Sequence, residues 1–536
     1  MRQQPLPNTI GVTLSVLLRP EMTKSIILSG LSLYAANHAV AQPLPMITWE
    51  EALGGTLYES ALECSQTADG GYILAGSSQS NDGHVTGNHG MADGWVVKLN
   101  SFGMIEWQRA YGGSGSDSFA KIRQTNDAGY ICAGFTASNN GDVSGNHGLM
   151  DVWVVKLDAI GGIEWQRCLG GSDYELSYDV VQTANGGYLV STQTSSSNGD
   201  VTINHGLHDA WIIKLDASGN IVWQTSLGGS GYDYLLEIQT TLDGRSILAG
   251  GSTSNDGDVS GNHGGYDFWV VELDPSGAII WQRMLGGSFN ELAGGLDLAN
   301  DGGILLSGYT LSNDGDVSGN HGESDVWVVR LAAEGGLTWQ QTFGGTLAEN
   351  GAALVQTGDD SMVVIGFSDS DDGDVTGNHG GRDVWLFKLN GAGDLIWQKP
   401  LGGSAMEMGA DVDQTADGGY IACGLSRSID GDVSLNQGAE DAWVVKLDPD
   451  DVGIEELPVL EIIVSPNPLT DELHVTSLTL LHDAYVVLID ASGRSVLTLP
   501  VAGTSFMCEV GGLARGAYTL TIHLPYGTWS SHIILE

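Results

Sequence analysis

From residue 47 to residue 448 short apolar runs alternate with breaks rich in Gly, Asn and Asp, and no stretch sustains the 3.6-residue period of an amphipathic helix. One stretch illustrates the pattern. Leu176–Gln182 reads as a strand closed by Thr183-Ala184-Asn185-Gly186-Gly187, and Tyr188-Leu189-Val190 opens a second. After a long polar loop, Trp211-Ile212-Ile213-Lys214-Leu215 forms a third strand. A turn at Asp216-Ala217-Ser218-Gly219 then leads into a fourth, Ile221-Val222-Trp223-Gln224. Asp-Gly pairs at the first turn (Asp69-Gly70, Asp301-Gly302, Asp417-Gly418) are strong hairpin signals, because both central residues accept positive φ.

This four-strand unit recurs at a fixed period. One Trp series falls at 95, 153, 211, 269, 327, 385 and 443, a second at 49, 107, 165, 223, 281, 339 and 397, and every step is 58 residues. The absence of insertions between these landmarks gives each unit an equivalent place. Four-stranded units repeated radially are propeller blades, whereas a solenoid would need atypical capping repeats. Ile47-Thr48-Trp49-Glu50 matches a fourth strand with no unit before it, and the last unit stops at Trp443-Val444-Val445-Lys446-Leu447 without one. The expectation is therefore an all-β chain: a seven-bladed β-propeller over 47–448, its N-terminal strand completing the last blade and leaving no unpaired edge. The Lys214-to-Trp223 stretch resembles the tryptophan-docking repeat of quinoprotein-type propellers, which implies Trp side chains packed between blades.

Both ends carry addresses. Met22-Thr23-Lys24, the mostly apolar stretch Ile26–Ala36 and the small residues Ala39-Val40-Ala41 follow signal-peptide order, which makes residues 1–41 a signal region cleaved near Ala41. No later run reaches the length of a membrane span. An acidic linker occupies 449–458, and 459–536 reads as short alternating strands with Gly turns, as in an Ig-like sandwich. Its Ile463-Val464-Ser465-Pro466-Asn467-Pro468 and Asp490-Ala491-Ser492-Gly493-Arg494 resemble the C-terminal sorting domain of the type IX secretion system. That resemblance implies export to the cell surface or medium, with the secretion machinery as a partner through residues 459–536. One departure is the ending Ile533-Ile534-Leu535-Glu536, which lacks the basic terminal residue such domains often carry.

Charge narrows the partners. With 66 acidic against 20 basic residues the net charge is −46, which disfavours nucleic acid and anionic membrane and favours cations. Five Cys, far apart and without metal spacing, read as small buried core residues.

The longest loop of each unit is also its least varied. Asp256, Asp258, Ser260 and Asp267 place oxygens in the order of an EF-hand-type calcium loop, as do Asp314, Asp316, Ser318, Asp325 and Asp372, Asp374, Thr376, Asp383. Against calcium stand an Asp at the last position rather than Glu, His84 in the first unit, and Ile203 and Leu435 where the sharp turn wants Gly. Asx turns would build such loops without any ion. Six of the loops carry a His (89, 147, 205, 263, 321, 379), with Gln437 in the seventh, and a hydrogen-bonding role within the turn is expected of them.

Function in a symmetric ring shows as departures from the repeat. The loop tips vary most, and His208, Tyr266, Glu323, Arg382 and Glu440 are the candidate ligand-face residues. No catalytic constellation stands out. The reading is an exported, non-catalytic propeller that binds a glycan, polymer or protein through its loop face. The alternatives are a quinone-dependent or polysaccharide-active enzyme and a purely structural extracellular scaffold.

Overall fold

The computed structural model describes residues 44–450, 462–465, 471–491, 494–524 and 527–536. The expected signal region, most of the linker and the Ser-Pro-Asn-Pro motif lie outside these residues.

Seven four-stranded antiparallel sheets follow one another along the chain. In the third, Glu175–Gln182, Tyr188–Thr194, Asp209–Leu215 and Ile221–Leu227 are hydrogen-bonded in chain order. The seventh contributes Glu407–Gln414, Tyr420–Ser426 and Asp441–Leu447, and its outer strand is the N-terminal Ile47–Leu53. That strand runs antiparallel to Asp441–Leu447, with Leu53 opposite Ala442 and Ile47 opposite Leu447.

Burial explains why the third strand of each unit is apolar on both sides. Ile131, Ala133, Val152 and Val154 of the second sheet pack on Val180, Tyr188, Trp211 and Ile213 of the third. The same contact recurs around the molecule. It ends where Leu53, Ile421, Cys423 and Val444 of the seventh sheet meet Cys64, Tyr72, Leu74 and Trp95 of the first. The circuit of sheets is thus closed, as a β-propeller requires. All five Cys are buried and free.

The two Trp series do different work. The third-strand Trp, from Trp95 to Trp443, are at most 2% exposed. Each buried indole N–H needs an acceptor. The Gln that follows the outer-strand Trp supplies it: Trp95 donates to Gln108 at 2.8 Å and Trp153 to Gln166 at 3.0 Å. In the seventh sheet the acceptor is Glu50 of the closing strand, 2.9 Å from the Trp443 nitrogen. The outer-strand Trp lie against the next sheet. A Cβ added at Gly219 (φ +77°) would sit 2.8 Å from the Trp165 ring, so this turn needs Gly both for its left-handed backbone and for the approach of the indole.

The C-terminal region forms one connected antiparallel sheet of five strands: Ile462–Ser465, Glu472–Asp490, Ser495–Glu509, Gly516–Leu524 and Gly527–Leu535. Its own core includes Leu473, Val475, Val486, Leu488, Leu520, Ile522 and Ile533. Among the described residues, no helix is long and apolar enough to cross a membrane.

Replacing a third-strand Trp leaves a cavity between two sheets. Trp269→Ala is expected to cost about 3–5 kcal/mol of unfolding free energy. The half-buried outer-strand change Trp281→Ala is expected to cost clearly less, and urea denaturation of both variants measures the difference.

Candidate functional site

The repeated acidic loops are built from hydrogen bonds to the backbone. In the fourth sheet, Asp256 Oδ1 accepts the Ser230 N–H at 2.7 Å and Asp258 Oδ2 the Gly228 N–H at 3.3 Å. Ser260 Oγ accepts a hydrogen bond from Gln282 Nε2 at 2.7 Å, and Asp267 Oδ2 accepts the His263 N–H at 2.8 Å. The next loop repeats this, with Asp314 on Ser288, Asp316 on Gly286, Ser318 on Gln340 and Asp325 on His321. So does the sixth, with Asp372 on Thr346, Asp374 on Gly344, Thr376 on Gln398 and Asp383 on His379. The oxygens that match a calcium loop in sequence thus each accept a hydrogen bond from a separate donor. Among the described residues, no three His, Cys, Asp or Glu side chains are grouped to hold a metal ion. The hydrogen bonds of the loop make it a clamp: each one pins the connection that enters its own sheet.

The six loop His belong to the same clamp. Each Nδ1 lies 2.6–2.7 Å from Oδ2 of the Asp that opens the third strand (Asp93, Asp151, Asp209, Asp267, Asp325, Asp383). Burial raises the pKa of these Asp, and the hydrogen bonds from His oppose the shift. In the seventh sheet Gln437 replaces His, and burial pushes Asp441 up to about 6, aided by Glu59 across the junction. A Cβ at Gly54 would sit 2.5 Å from Asp441 Oδ1 and 2.6 Å from Glu59 Oε2. This crowding accounts for the first Gly of the repeated Gly-Gly pair.

The loop tips divide into two groups. Arg382 is bound to Asp369 through two 2.8 Å hydrogen bonds and lies 3.7 Å from the Phe367 ring centroid. Glu440 is paired with Arg427 at 2.8 Å, and Glu323 is exposed. His208 and Tyr266, by contrast, enter one aromatic cluster. The His208 ring is 5.2 Å from Tyr232 and 6.2 Å from Tyr234, and Tyr266 stacks on Tyr234 at 5.9 Å. Tyr178 stands 6.5 Å from Tyr234 and donates its hydroxyl proton to Gln193 at 2.6 Å. These rings come from loop tips, from the connection between sheets three and four, and from the two inner strands beside it. Tyr178 is the extra residue of a β-bulge, since Ser177 pairs with Thr192 and Asp179 with the adjacent Ser191. Bulges of this kind re-aim side chains.

The inner strands also enclose a cavity of about 260 Å³ with polar walls. Lys121 Nζ lies 2.8 Å from Glu63 and 3.1 Å from Glu237, and Arg123 pairs with Glu63. Burial raises Glu63 to about 7 and Glu237 to about 8, with Arg123 opposing the shift at Glu63 and Lys121 opposing it at both. Asp179 accepts the Ile238 N–H at 2.8 Å, Asp297 the Gln356 N–H at 2.8 Å and Asp411 the Cys64 N–H at 3.1 Å. Each of these Asp bridges to the next inner strand, whose free edge would otherwise leave N–H groups unpaired. Stepping 58 residues from Glu63 gives Lys121, Asp179, Glu237, Gly295, Ala353 and Asp411, a column that mixes charges of both signs with small residues. That column was the signal that an inspection confined to loop tips passes over.

No known family profile matches the chain. The regulatory protein FlaEY of Caulobacter vibrioides is 26% identical over 276 residues, covering 45% of this chain and 28% of that protein. The chain therefore spans little more than a quarter of this curated relative. Among solved structures, PorZ, a surface component of the type-IX secretion system of Porphyromonas gingivalis, is 12% identical, with a TM-score of 0.37 over 92% of this chain and 61% of that one. BamB from Moraxella catarrhalis is 14% identical, with a TM-score of 0.37 over 75% of this chain and 100% of that one. The Pan2 WD40 domain of Neurospora crassa is 11% identical, with a TM-score of 0.39 over 75% of this chain and 95% of that one. None of these likenesses carries an activity across to this chain.

The channel carboxyls set a pH dependence. Glu63 and Glu237 hold protons in the fold that the unfolded chain has already lost, so their contribution is full below about pH 4.5 and fades as pH rises toward 7–8. His84 and His208, lowered by burial, act in the opposite sense. The test is therefore a difference: melting temperature should fall less between roughly pH 5 and 8 in Glu237→Gln than in the parent, by thermal scans at matched ionic strength.

Proposed function

We propose that this chain is an exported seven-bladed β-propeller that recognises a glycan, polymer or protein on its loop face, at the aromatic cluster of sheets three and four. The observation that carries the reading is the convergence of His208, Tyr232, Tyr234, Tyr266 and Tyr178, five ring-bearing departures from an otherwise uniform repeat. Tyr232 is 37% exposed, so the patch offers a ring face together with a hydroxyl. Such rigid amphipathic rings give a large contact area for little lost conformational freedom. A sugar ring suits them best among the three ligand classes, since its C–H face stacks on an aromatic and its hydroxyls find the phenols.

How the titratable groups are spent supports a non-catalytic role. The channel carboxylates are held by Lys121, Arg123 or backbone N–H groups, and the loop carboxylates by the clamps. Each of these named carboxylates has such a partner.

Screening the mature chain on a glycan array, followed by calorimetry on any hit, tests the reading. Tyr234→Ala and His208→Ala are expected to weaken binding at least tenfold, about 1.4 kcal/mol, while the exposed tip change Glu323→Ala leaves it unchanged. Equal affinity in all variants would move the ligand site elsewhere.

Export is the second part of the proposal. It rests on the signal-like segment 1–41 and on the sorting-domain resemblance of residues 459–536. In a host with a type IX secretion system, removing 459–536 should leave the protein inside the outer membrane, and fractionation with immunoblotting reads the outcome.

A further inference from the structure

The penultimate residue of every third strand carries a charge, and in six of the seven its partner comes from the first hairpin turn or a neighbouring strand. Lys98 pairs with Asp69 and Glu106, both at 3.1 Å, and Lys156 with Asp127 at 3.0 Å and Glu164 at 3.1 Å. Lys388 pairs with Asp359 and Asp450 at 2.8 Å, Lys446 with Asp417 at 3.1 Å and Arg330 with Asp301 at 2.7 Å. The fourth sheet reverses the charges, with Glu272 held by Arg245.

The third sheet alone breaks the rule. Asn185 stands where the turn carries Asp, and Val222 where the first two sheets carry Glu106 and Glu164. Lys214 is left with a hydrogen bond to Thr183 Oγ1. Among the described residues, it has no carboxylate within ion-pair distance. Beside it, between the third and fourth sheets, opens a pocket of about 370 Å³ whose wall includes Leu189, Trp223 and Leu242. Leu242 is fully exposed at the rim. Two carboxylates also line the pocket, and both are committed. Asp243 is bound to Arg245 at 2.8 Å, and Asp274 accepts the N–H groups of its own turn from Ser276 at 2.8 Å and Ala278 at 3.1 Å. The pocket lies among the hairpin turns, at the opposite ends of the strands from the aromatic cluster, and is independent of the function proposed above.

We propose that this pocket binds a small organic carboxylate, whose acid group takes the place at Lys214 that Asp69 and Glu106 occupy at Lys98, and whose apolar part lies against Leu189, Trp223 and Leu242. An ammonium in a partly desolvated site gains a charge-assisted hydrogen bond from such a ligand. Burial already draws the Lys214 pKa down to about 8, the direction expected of an amine without a counter-charge. The overall charge of −46 opposes anions at long range, but salt at physiological strength screens it within about 8 Å.

Competitive acetylation of the intact protein near pH 8, read by peptide mass mapping, tests the assignment. Lys214 should react at least tenfold faster than Lys98 and Lys156, which are held by carboxylates. Benzoate at roughly 10 mM should slow that reaction, while its neutral analogue benzyl alcohol should not. The double change Asn185→Asp with Val222→Glu restores what the first two sheets carry, so Lys214 should fall to the rate of Lys98 and benzoate protection should vanish. Reaction of Lys214 at the rate of Lys98, or equal protection by benzyl alcohol and benzoate, overturns the proposal. The parent protein alone supplies both of those outcomes should the double variant not fold.

Discussion

A four-stranded sheet that is apolar on both faces has no stable existence by itself, and this chain makes seven of them. Each buries its faces only by lying between two others, so the favourable burial of every sheet depends on the ring being shut. The shutting falls to one short strand, Ile47–Leu53, which pairs with Asp441–Leu447 from the far end of the repeat. It completes the hydrogen bonding of the last sheet, carries Leu53 into the apolar junction with the first sheet, and brings Glu50 to the indole N–H of Trp443. The identity of Glu50 becomes intelligible in that light. Where every complete unit has Gln after its outer Trp, the closing strand has Glu, and a carboxylate accepts the indole proton just as well.

Closure also dictates what happens to polar groups. The connections between sheets pass through a crowded junction where backbone N–H groups cannot all reach water, and the repeated loops answer this with side-chain oxygens. Asp256 and Asp258 satisfy the N–H groups of Ser230 and Gly228, as their counterparts do in the following sheets. On the inner strands the problem is an open edge facing the channel, and Asp179, Asp297 and Asp411 bridge it. An acidic composition is therefore partly structural here: carboxylates accept where the backbone donates, and at Asp297 burial raises the pKa.

The fixed 58-residue step made the fold legible, because an uninterrupted period leaves no freedom in strand number or order, and the Asp-Gly turns placed the hairpins. The loop chemistry was less so. A sequence shows that oxygens recur at calcium-like spacing, but whether they converge depends on a connection 26 residues away, from Asp256 back to Ser230, that the loop itself does not contain. Arg382 and Glu440 read as free tips for a related reason. Their partners, Asp369 and Arg427, lie 13 residues earlier on the opposite arm of the same loop, a proximity set by strand register. The five rings of the Tyr234 cluster come from four stretches of chain spread over two repeats, and only the bulge at Tyr178 and the packing of adjacent inner strands bring them together.

A repeat this uniform makes each departure informative, and the departures fall into two kinds. Some are repaired within the molecule: where Glu272 replaces the usual cation, Arg245 appears opposite it, so the pair survives with its signs exchanged. Others go unrepaired. Lys214 lost both of the carboxylates that Lys98 keeps, and His208 has a buried Nδ1 without a partner. An unmet polar group in a partly buried setting costs stability, and it is tolerated at low cost only where a ligand or solvent can meet it. Both of these unrepaired departures lie on the third sheet, one at each end of the strand Asp209–Leu215, which makes that sheet the place to look for a ligand.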